Sequence, residues 1–344
     1  MRNFTKAFPC AYSLLGTFRL VMIFSLVWFW IASVSAQERI TLSYAAPGGA
    51  NSIWNIAKEI GAYKRRGLDA EVVYIGSTTL SATALLSGHI QAGMVAGNGV
   101  VNTAVAGGEM VLVAGFVNVL DYELVAQSSI NSAEALKGKS VGISRFGSVT
   151  DVAARAFLAE LRLRPGEDVT LRQIGGAAER AAAFTQGAVA AFMSATGSIH
   201  LLGEAFPHRV LIRSADLRNP PPFPWICATT TRSYLTKKRD VVKKVVTALV
   251  EATYFFKTNK EPTKKIIGKY FSTANSAYLE DNYTTTTRIL ERVPYVTRRG
   301  MEVLVAEARK TNPATKITVN ELVDDSLVRE IEQEGFIDQL YGKK

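Results

Sequence analysis

The stretch best equipped for chemistry is Ser144-Arg145-Phe146-Gly147-Ser148, and the chemistry it suits is anion binding. It follows a short apolar strand, Ser140–Ile143, and runs into a helix capped by Ser148 or Thr150. The first turn of a helix carries unpaired N–H groups and a partial positive charge, so such a loop is a seat for a small anion. Arg145 adds a formal charge and a planar fork of donors; a solvated surface arginine is the plainer alternative. Far earlier, Arg39–Lys58 has the same form: strand ITLSYA, loop APGGANS, helix IWNIAK. Two strand–loop–helix units so far apart predict two lobes that offer helix ends to one ligand.

Other chemistry is thin. No G-x-S-x-G elbow, H-E-x-x-H, P-loop or C-x-x-C occurs. His89, His200 and His208 are scattered, which suits solvated or locally bonded imidazoles better than a catalytic base or a metal site. Gly97-x-Gly99 lacks the third glycine and the ribose-binding acid of a dinucleotide loop. Glu179-Arg180 after Gly175-Gly176 is a first helical turn, where Glu179 serves equally as dipole compensation or ligand contact. Phe116, Phe146 and Trp225 are pocket walls or core. What remains is a binding cleft with no catalytic residues, no metal and no cofactor: a binding protein and not an enzyme.

The elements that position this cleft alternate. Strands are expected at Ile40–Ala45, Glu71–Ile75, Ala92–Val95 and Val111–Phe116, with helices at Ser52–Lys64, Ser77–Ser87 and after Gly99. Such alternation implies a parallel sheet with helices on both faces, whose ligands sit at the carboxyl ends of strands. The post-strand loops there are small and polar: Ala46-Pro47-Gly48-Gly49, Gly76-Ser77-Thr78, Gly97-Asn98 and Val117-Asn118. From Tyr122 the pattern restarts, with a short helix at Ser132–Leu136 and strands at Tyr122–Ala126, Ser140–Ile143, Val169–Gln173, Ala190–Met193 and Arg209–Ile212. Pro220, Pro221, Pro222 and Pro224 read as a connector, because proline continues neither a helix nor a central strand. Trp225–Thr230 then returns to the first lobe. Beyond it the chain reads as helices at Asp240–Asn259, Pro262–Phe271, Ala277–Leu290, Thr297–Lys310 and Asn320–Glu334.

The composition, 48% hydrophobic and 20% charged, is that of a folded protein rather than a disordered one. The first 36 residues differ: Arg2, Lys6 and Arg19 are their only charges, an apolar run follows over Leu20–Ala32, and Val34-Ser35-Ala36 supplies small residues. This is the pattern of a secretory signal cleaved after Ala36; the run is shorter than the roughly 20 residues a spanning helix needs. An uncleaved anchor is the alternative. Cleavage would lower the formal charge from +10 to +7 and leave one cysteine, Cys227, hence no internal disulfide. A secreted chain without disulfides suits a bacterial periplasm. The basic clusters Lys237-Lys238-Arg239, Lys243-Lys244 and Lys264-Lys265 lack interleaved aromatics and read as solvated helix faces, not a nucleic-acid site.

One set of residues carries a family resemblance: Glu59-Ile60-Gly61-Ala62-Tyr63, Arg66-Gly67-Leu68-Asp69-Ala70, Gly76-Ser77 and Ala84-Leu85-Leu86-Ser87-Gly88. Ala104 with Gly107-Gly108, Leu136–Gly142, Gly175-Gly176, Glu179-Arg180 and Gln186-Gly187 complete it. Through these the chain, over roughly Arg39 to Ile212, resembles the substrate-binding proteins of ABC importers of the nitrate, sulfonate and taurine type, a group that includes the thiamine-pyrimidine-precursor binding proteins. Gln91 and Ala190 depart from it, standing where the family usually has aspartate; they precede strands, so the change is read as one of turn bonding.

The resemblance implies an α/β chain with the two-lobe periplasmic-binding-protein (type II) fold. Each lobe is then a small mixed sheet flanked by helices, and the C-terminal region is helical. Residues 37–122 would form the first part of lobe one, 123–224 lobe two, and 225–344 the return crossing, the completion of lobe one and the C-terminal helices. It further implies a ligand facing Ala46, Pro47, Gly48, Ser77, Thr78 and Asn98 from lobe one, with Asn118 in the adjoining post-strand loop. From lobe two come Arg145, Phe146, Gly147, Ser148 and Gly176. The function implied is capture of a small polar or anionic organic solute, sulfonate, carboxylate or pyrimidine-like, by hinge closure and its delivery to an ABC permease in the inner membrane. The protein would be a periplasmic monomer without nucleic-acid partners. A ligand-sensing protein that docks a receptor is one alternative. An enzyme like the eukaryotic makers of the thiamine pyrimidine is the other, but its iron chemistry wants a cysteine-rich motif and the mature chain has one cysteine.

Overall fold

The computed structural model describes Met1 and residues 37–342, except 46–48, 197, 204–205 and 218–221; the side chains of 200 and 201 are also not described. The expected signal segment, apart from Met1, and the expected ligand contacts Ala46, Pro47 and Gly48 therefore lie outside the described residues. Glu38–Lys344 is one unit, distinct from Met1–Gln37.

Ten strands run in the order β1 (Glu38–Tyr44), β2 (Leu68–Tyr74), β3 (Ala92–Met94), β4 (Met110–Val119), β5 (Tyr122–Gln127), β6 (Ser140–Ile143), β7 (Thr170–Gln173), β8 (Ala191–Ala195), β9 (His208–Arg213) and β10 (Pro222–Thr231). They form two five-stranded sheets, β2-β1-β3-β10-β4 and β7-β6-β8-β5-β9. In the first, β1, β2 and β3 are parallel while β10 runs against both β3 and β4. The alternation alone suggested a wholly parallel sheet, and it errs because the strand returning from the second lobe enters in reverse between β3 and β4. In the second sheet β6 is parallel to β7 and β8, and β5 opposes β8 and β9. The lobes are thus joined by two crossings, β4 to β5 and β9 to β10.

Helices cover the sheets. The segment expected as one helix, Ser52–Lys64, is two: α1 (Ile53–Glu59) and α2 (Ala62–Arg65), parted at Gly61 whose φ of 71° is left-handed and suits glycine. Lobe one adds α3 (Thr78–Leu86) and α4 (Gly97–Val105); lobe two has α5 (Val149–Glu160) and α6 (Ala177–Thr185). Only a single turn of 3₁₀ helix, Glu134–Leu136, stands at the expected Ser132–Leu136 helix. After α7 (Arg232–Lys237), the long α8 (Arg239–Thr258) buries Val241, Val242, Val245, Val246, Leu249, Ala252 and Phe256, spaced three and four apart on one face. Then come α9 (Lys260–Phe271), α10 (Ser276–Ile289) and α11 (Arg298–Thr311).

The expected final helix, Asn320–Glu334, is broken into α12 (Val319–Leu322) and α13 (Ser326–Gln333), followed by α14 (Phe336–Tyr341). Val323 leaves the helical path to bridge Leu112 of β4, and Asp324, just before the new start, accepts from Ser326 N at 3.1 Å. The basic clusters are matched by acids: Lys238 with Glu38 at 2.8 Å, Lys243 with Glu334 at 2.5 Å and Lys264 with Glu280 at 3.0 Å. Exposed pairs of this kind add little stability, and Lys237, Lys244 and Lys265 of the same clusters are exposed.

Two local readings are resolved. Gln91 accepts from Thr41 N at 2.8 Å and donates to the Gly88 carbonyl at 3.1 Å, so it ties the turn before β3. Pro222 and Pro224, expected in a connector, lie inside β10, where the register against β4 slips between Pro222 and Ile226 and a missing N–H breaks no regular ladder. Farther along the same strand Cys227 is fully buried, and desolvation pushes its thiol far above the ordinary range. In a Cys10→Ser chain, Ellman's reagent is therefore expected to find no reactive thiol under native conditions and one after denaturation; rapid native labelling would contradict this placement.

Candidate functional site

Three helix N-termini meet where the two sheets adjoin. The start of α3 brings Ser77 and Thr78 from lobe one; the starts of α5 and α6 bring Val149, Thr150, Ala177 and Arg180 from lobe two. Asn51, Ser144, Tyr122 and Trp225 complete much of the wall. Tyr122 opens β5 and Trp225 lies in β10, so both crossing strands contribute an aromatic ring, their centroids 5.3 Å apart. Burial pushes the Tyr122 phenol up to about 12, which keeps it a neutral hydroxyl. The space open to the centre of a water molecule is about 20 Å³, room for about one water. A larger solute therefore enters only if the lobes part.

The electrostatics of this cavity are one-sided. Arg180 is 5% exposed, and its Nε donates to the Met193 carbonyl at 3.0 Å and Nη1 to the Gly175 carbonyl at 2.7 Å. Among the described residues no carboxylate forms an ion pair with it; Glu179 acts only at longer range, and desolvation pulls the guanidinium's pKa down. The side chain reaches the cavity because helical side chains tilt toward the N-terminus, and Arg180 is the fourth residue of α6. The positive ends of three helices add to the same field. Two lining polar atoms, Thr78 Oγ1 and Asn51 Oδ1, are buried without a partner among the described residues. A buried cation without an acid, beside helix ends, is complementary to an anion.

The loop that looked most like an anion seat is instead satisfied within its own lobe. Ser144, Ser148 and Thr150 hydroxyls stand 2.9 Å from one another. Phe146 N donates to Gln173 Oε1 and Gly147 N to Asp151 Oδ2, each at 2.8 Å. Arg145 is exposed and does not line the cavity. Phe146, 50% exposed, lies with Gly147 beside a groove between α3 and α4.

Of the other expected contacts, Ser77 and Thr78 line the cavity. Ser148 is buried one bond behind it, through Ser144 and Thr150. Asn98 reaches across the lobes, donating to the Gly147 carbonyl at 2.9 Å, with Asn102 donating to the same oxygen at 3.3 Å. Gly176 meets Gly76: a Cβ on Gly76 would stand 3.2 Å from the Gly176 Cα. Asn118 is engaged elsewhere, donating to the Tyr295 carbonyl and accepting from Thr297 N, both at 2.9 Å. Sequence reasoning places neither Asn51 nor Tyr122 in the site, and it notes Ser144 in the loop, Thr150 as a possible cap and Arg180 in a first helical turn but not among the expected contacts. For Arg180 a signal existed, since Gly175-Gly176 followed by a helix repeats the strand–loop–helix form, with the charge one turn inside the helix instead of in the loop.

A family model described as NMT1/THI5 like matches residues 53–262. No curated protein matches the sequence at a significant level. Among solved structures, a protein from Bordetella bronchiseptica RB50 is 14% identical with a TM-score of 0.74, covering 87% of this chain and 98% of its own. The periplasmic nitrate-binding protein NrtA from Synechocystis PCC 6803 is 16% identical with a TM-score of 0.71, over 86% of this chain and 88% of its own. The alkanesulfonate-binding protein SsuA from Xanthomonas axonopodis pv. citri, bound to MOPS, is 20% identical with a TM-score of 0.68, over 85% and 99%. At such identities the likeness is one of fold: two lobes of mixed sheet flanked by helices, the periplasmic-binding-protein fold.

The glycine contact makes closure testable. Gly76 has no left-handed φ, so a side chain is tolerated by its backbone, but it would collide with Gly176 and the Tyr74 hydroxyl. Gly76→Val is expected to leave the melting temperature close to wild type while holding the lobes apart. Small-angle scattering would read this as a larger radius of gyration; an unchanged radius would show that the contact does not limit closure.

Proposed function

The chain belongs to the NMT1/THI5-like family, and on that premise we propose that it is the solute-binding component of an ABC importer, capturing a small organic anion between its lobes. The observation that carries this reading is Arg180, a buried guanidinium with carbonyl partners but no acid, at the meeting point of three helix N-termini. Of sulfonate, carboxylate and pyrimidine-like solutes, the first two supply the charge that this site lacks. Two proteins of the same fold are named for binding nitrate and alkanesulfonate, which supports the class. Ser77, Thr78, Asn51 and the first-turn amides of α3, α5 and α6 would share the anion's oxygens; Tyr122 and Trp225 would pack its organic part. Function then rests on binding equilibria and closure rather than on bond making. The chain would work in the periplasm as a monomer, after removal of its leader at Ala36, and hand its solute to the permease in the inner membrane.

Calorimetry with alkanesulfonates, aromatic carboxylates and nitrate is the direct test. At least one anion is expected to bind wild type, and Arg180→Met to weaken it by about 3 kcal/mol, somewhat over a hundredfold. Arg145→Ala is expected to change little. Because Arg180→Met removes an unpaired buried charge, the ligand-free variant should melt no lower than wild type, which separates lost binding from lost folding. Undiminished affinity in Arg180→Met, or no saturable binding across the panel, would overturn the reading.

A further inference from the structure

Successive residues of a strand point to opposite faces, so while Tyr122 lines the cavity between the lobes, Glu123 points away from it. There it lines a second cavity of about 460 Å³, the size range of small-molecule sites. One wall belongs to lobe two: Glu123 of β5 with His208 and Arg213 of β9. The other is the start of α10, with Asn275, Tyr278 and Asp281. Helix α10 packs on lobe one, where Asn282 and Thr286 lie against Gly49.

Glu123 is 4% exposed. Its Oε1 accepts from Arg213 Nε at 2.9 Å, whereas Oε2 is buried with no hydrogen-bond partner among the described residues. An unpartnered oxygen on a buried carboxylate is costly and calls for a donor. Burial raises the pKa of the Glu123 carboxyl, Arg213 opposes that, and Asp121 and Asp281 add to it; Arg213 is itself half exposed and shared with the field of Asp216. His208 is engaged through Nδ1 with the Phe206 carbonyl at 2.8 Å. Among the described residues no group of three His, Cys, Asp or Glu side chains is placed to hold a metal ion; the complement of a carboxylate oxygen is a hydrogen-bond donor.

We propose that this cavity is a second ligand site, taking a small organic cation whose primary ammonium or guanidinium group donates to Glu123 Oε2 while Asp281 holds its charge at the rim. Its walls belong to different lobes, so an occupant bridges them on the face opposite the first cavity, and its binding is coupled to closure. The site does not depend on what the first cavity binds.

Calorimetry of the mature chain with agmatine and with n-butylammonium tests this, with tetramethylammonium, which has the charge but no N–H, as control. Saturable binding of agmatine or n-butylammonium is expected, with none of the control. Glu123→Gln, close to isosteric, is expected to weaken it at least about tenfold, and Asp281→Asn, on an exposed residue that cannot compromise folding, by about threefold. In Arg180→Met cation binding should persist while anion binding is lost, which separates this site from the first. Absence of saturable binding of both amines at millimolar concentration, or equal affinity in wild type and both carboxylate variants, would overturn the proposal.

Discussion

A guanidinium removed from water and denied a carboxylate has only carbonyl dipoles to balance it, and that is the situation of Arg180. Its two carbonyl bonds, to Met193 and Gly175, recover part of a desolvation cost that runs to several kcal/mol per buried ion. The nearby starts of α3, α5 and α6 contribute charge of the same sign instead of relieving it. The junction of the lobes therefore concentrates positive potential where the walls come closest. On the proposed reading, an anion placed there would be stabilised by all of these groups together and would make the tight approach of the walls electrostatically favourable. The remaining features of the site, namely aromatic rings from both crossing strands and partnerless Thr78 and Asn51 oxygens, take their meaning from that field.

Closure is shaped by what crosses between the lobes. Two strand connections join the lobes, and two sets of side contacts span them. Asn98 and Asn102 donate to one carbonyl, that of Gly147, while Gly76 and Gly176 allow the backbones to touch. Each amide bond is worth about 1 kcal/mol net, enough to bias a two-state equilibrium without locking it. The crossing strand β5 also links two cavities, because Tyr122 and Glu123 face opposite ways from adjacent positions.

Much of the fold was legible in the residues. Alternating apolar runs placed the strands, and α6 began and ended where its pattern said. The misses have specific causes. The reversed insertion of β10 is a pairing over more than a hundred residues of sequence, invisible to local periodicity. Gly61 and Val323 broke expected helices through a left-handed φ and a bridge to β4, the second again a distant partner. Of the expected contacts, Ser77 and Thr78 line the cavity and Arg145 does not. Arg145 sits in a loop whose amides are consumed by Gln173 and Asp151, whereas Arg180 lies inside a helix, where only the tilt of its side chain brings it back to the mouth. Side-chain direction, unlike element type, depends on neighbours that the sequence does not order.

The prolines at the start of β10 have a consequence beyond the fold of one molecule. The neighbour β3 is only three residues long, so on that side the first part of β10 runs beyond the strand that would cover it. An uncovered stretch of strand is a template on which a second chain can add its own backbone. Pro222 and Pro224 offer no N–H, and the slipped register bends the ladder away from regularity. Packing covers this stretch as well: Phe223, Pro224 and Trp225 are buried, with Pro222 and Pro224 against Gly300 of α11. The edge is closed by missing donors and a neighbouring helix rather than by charge.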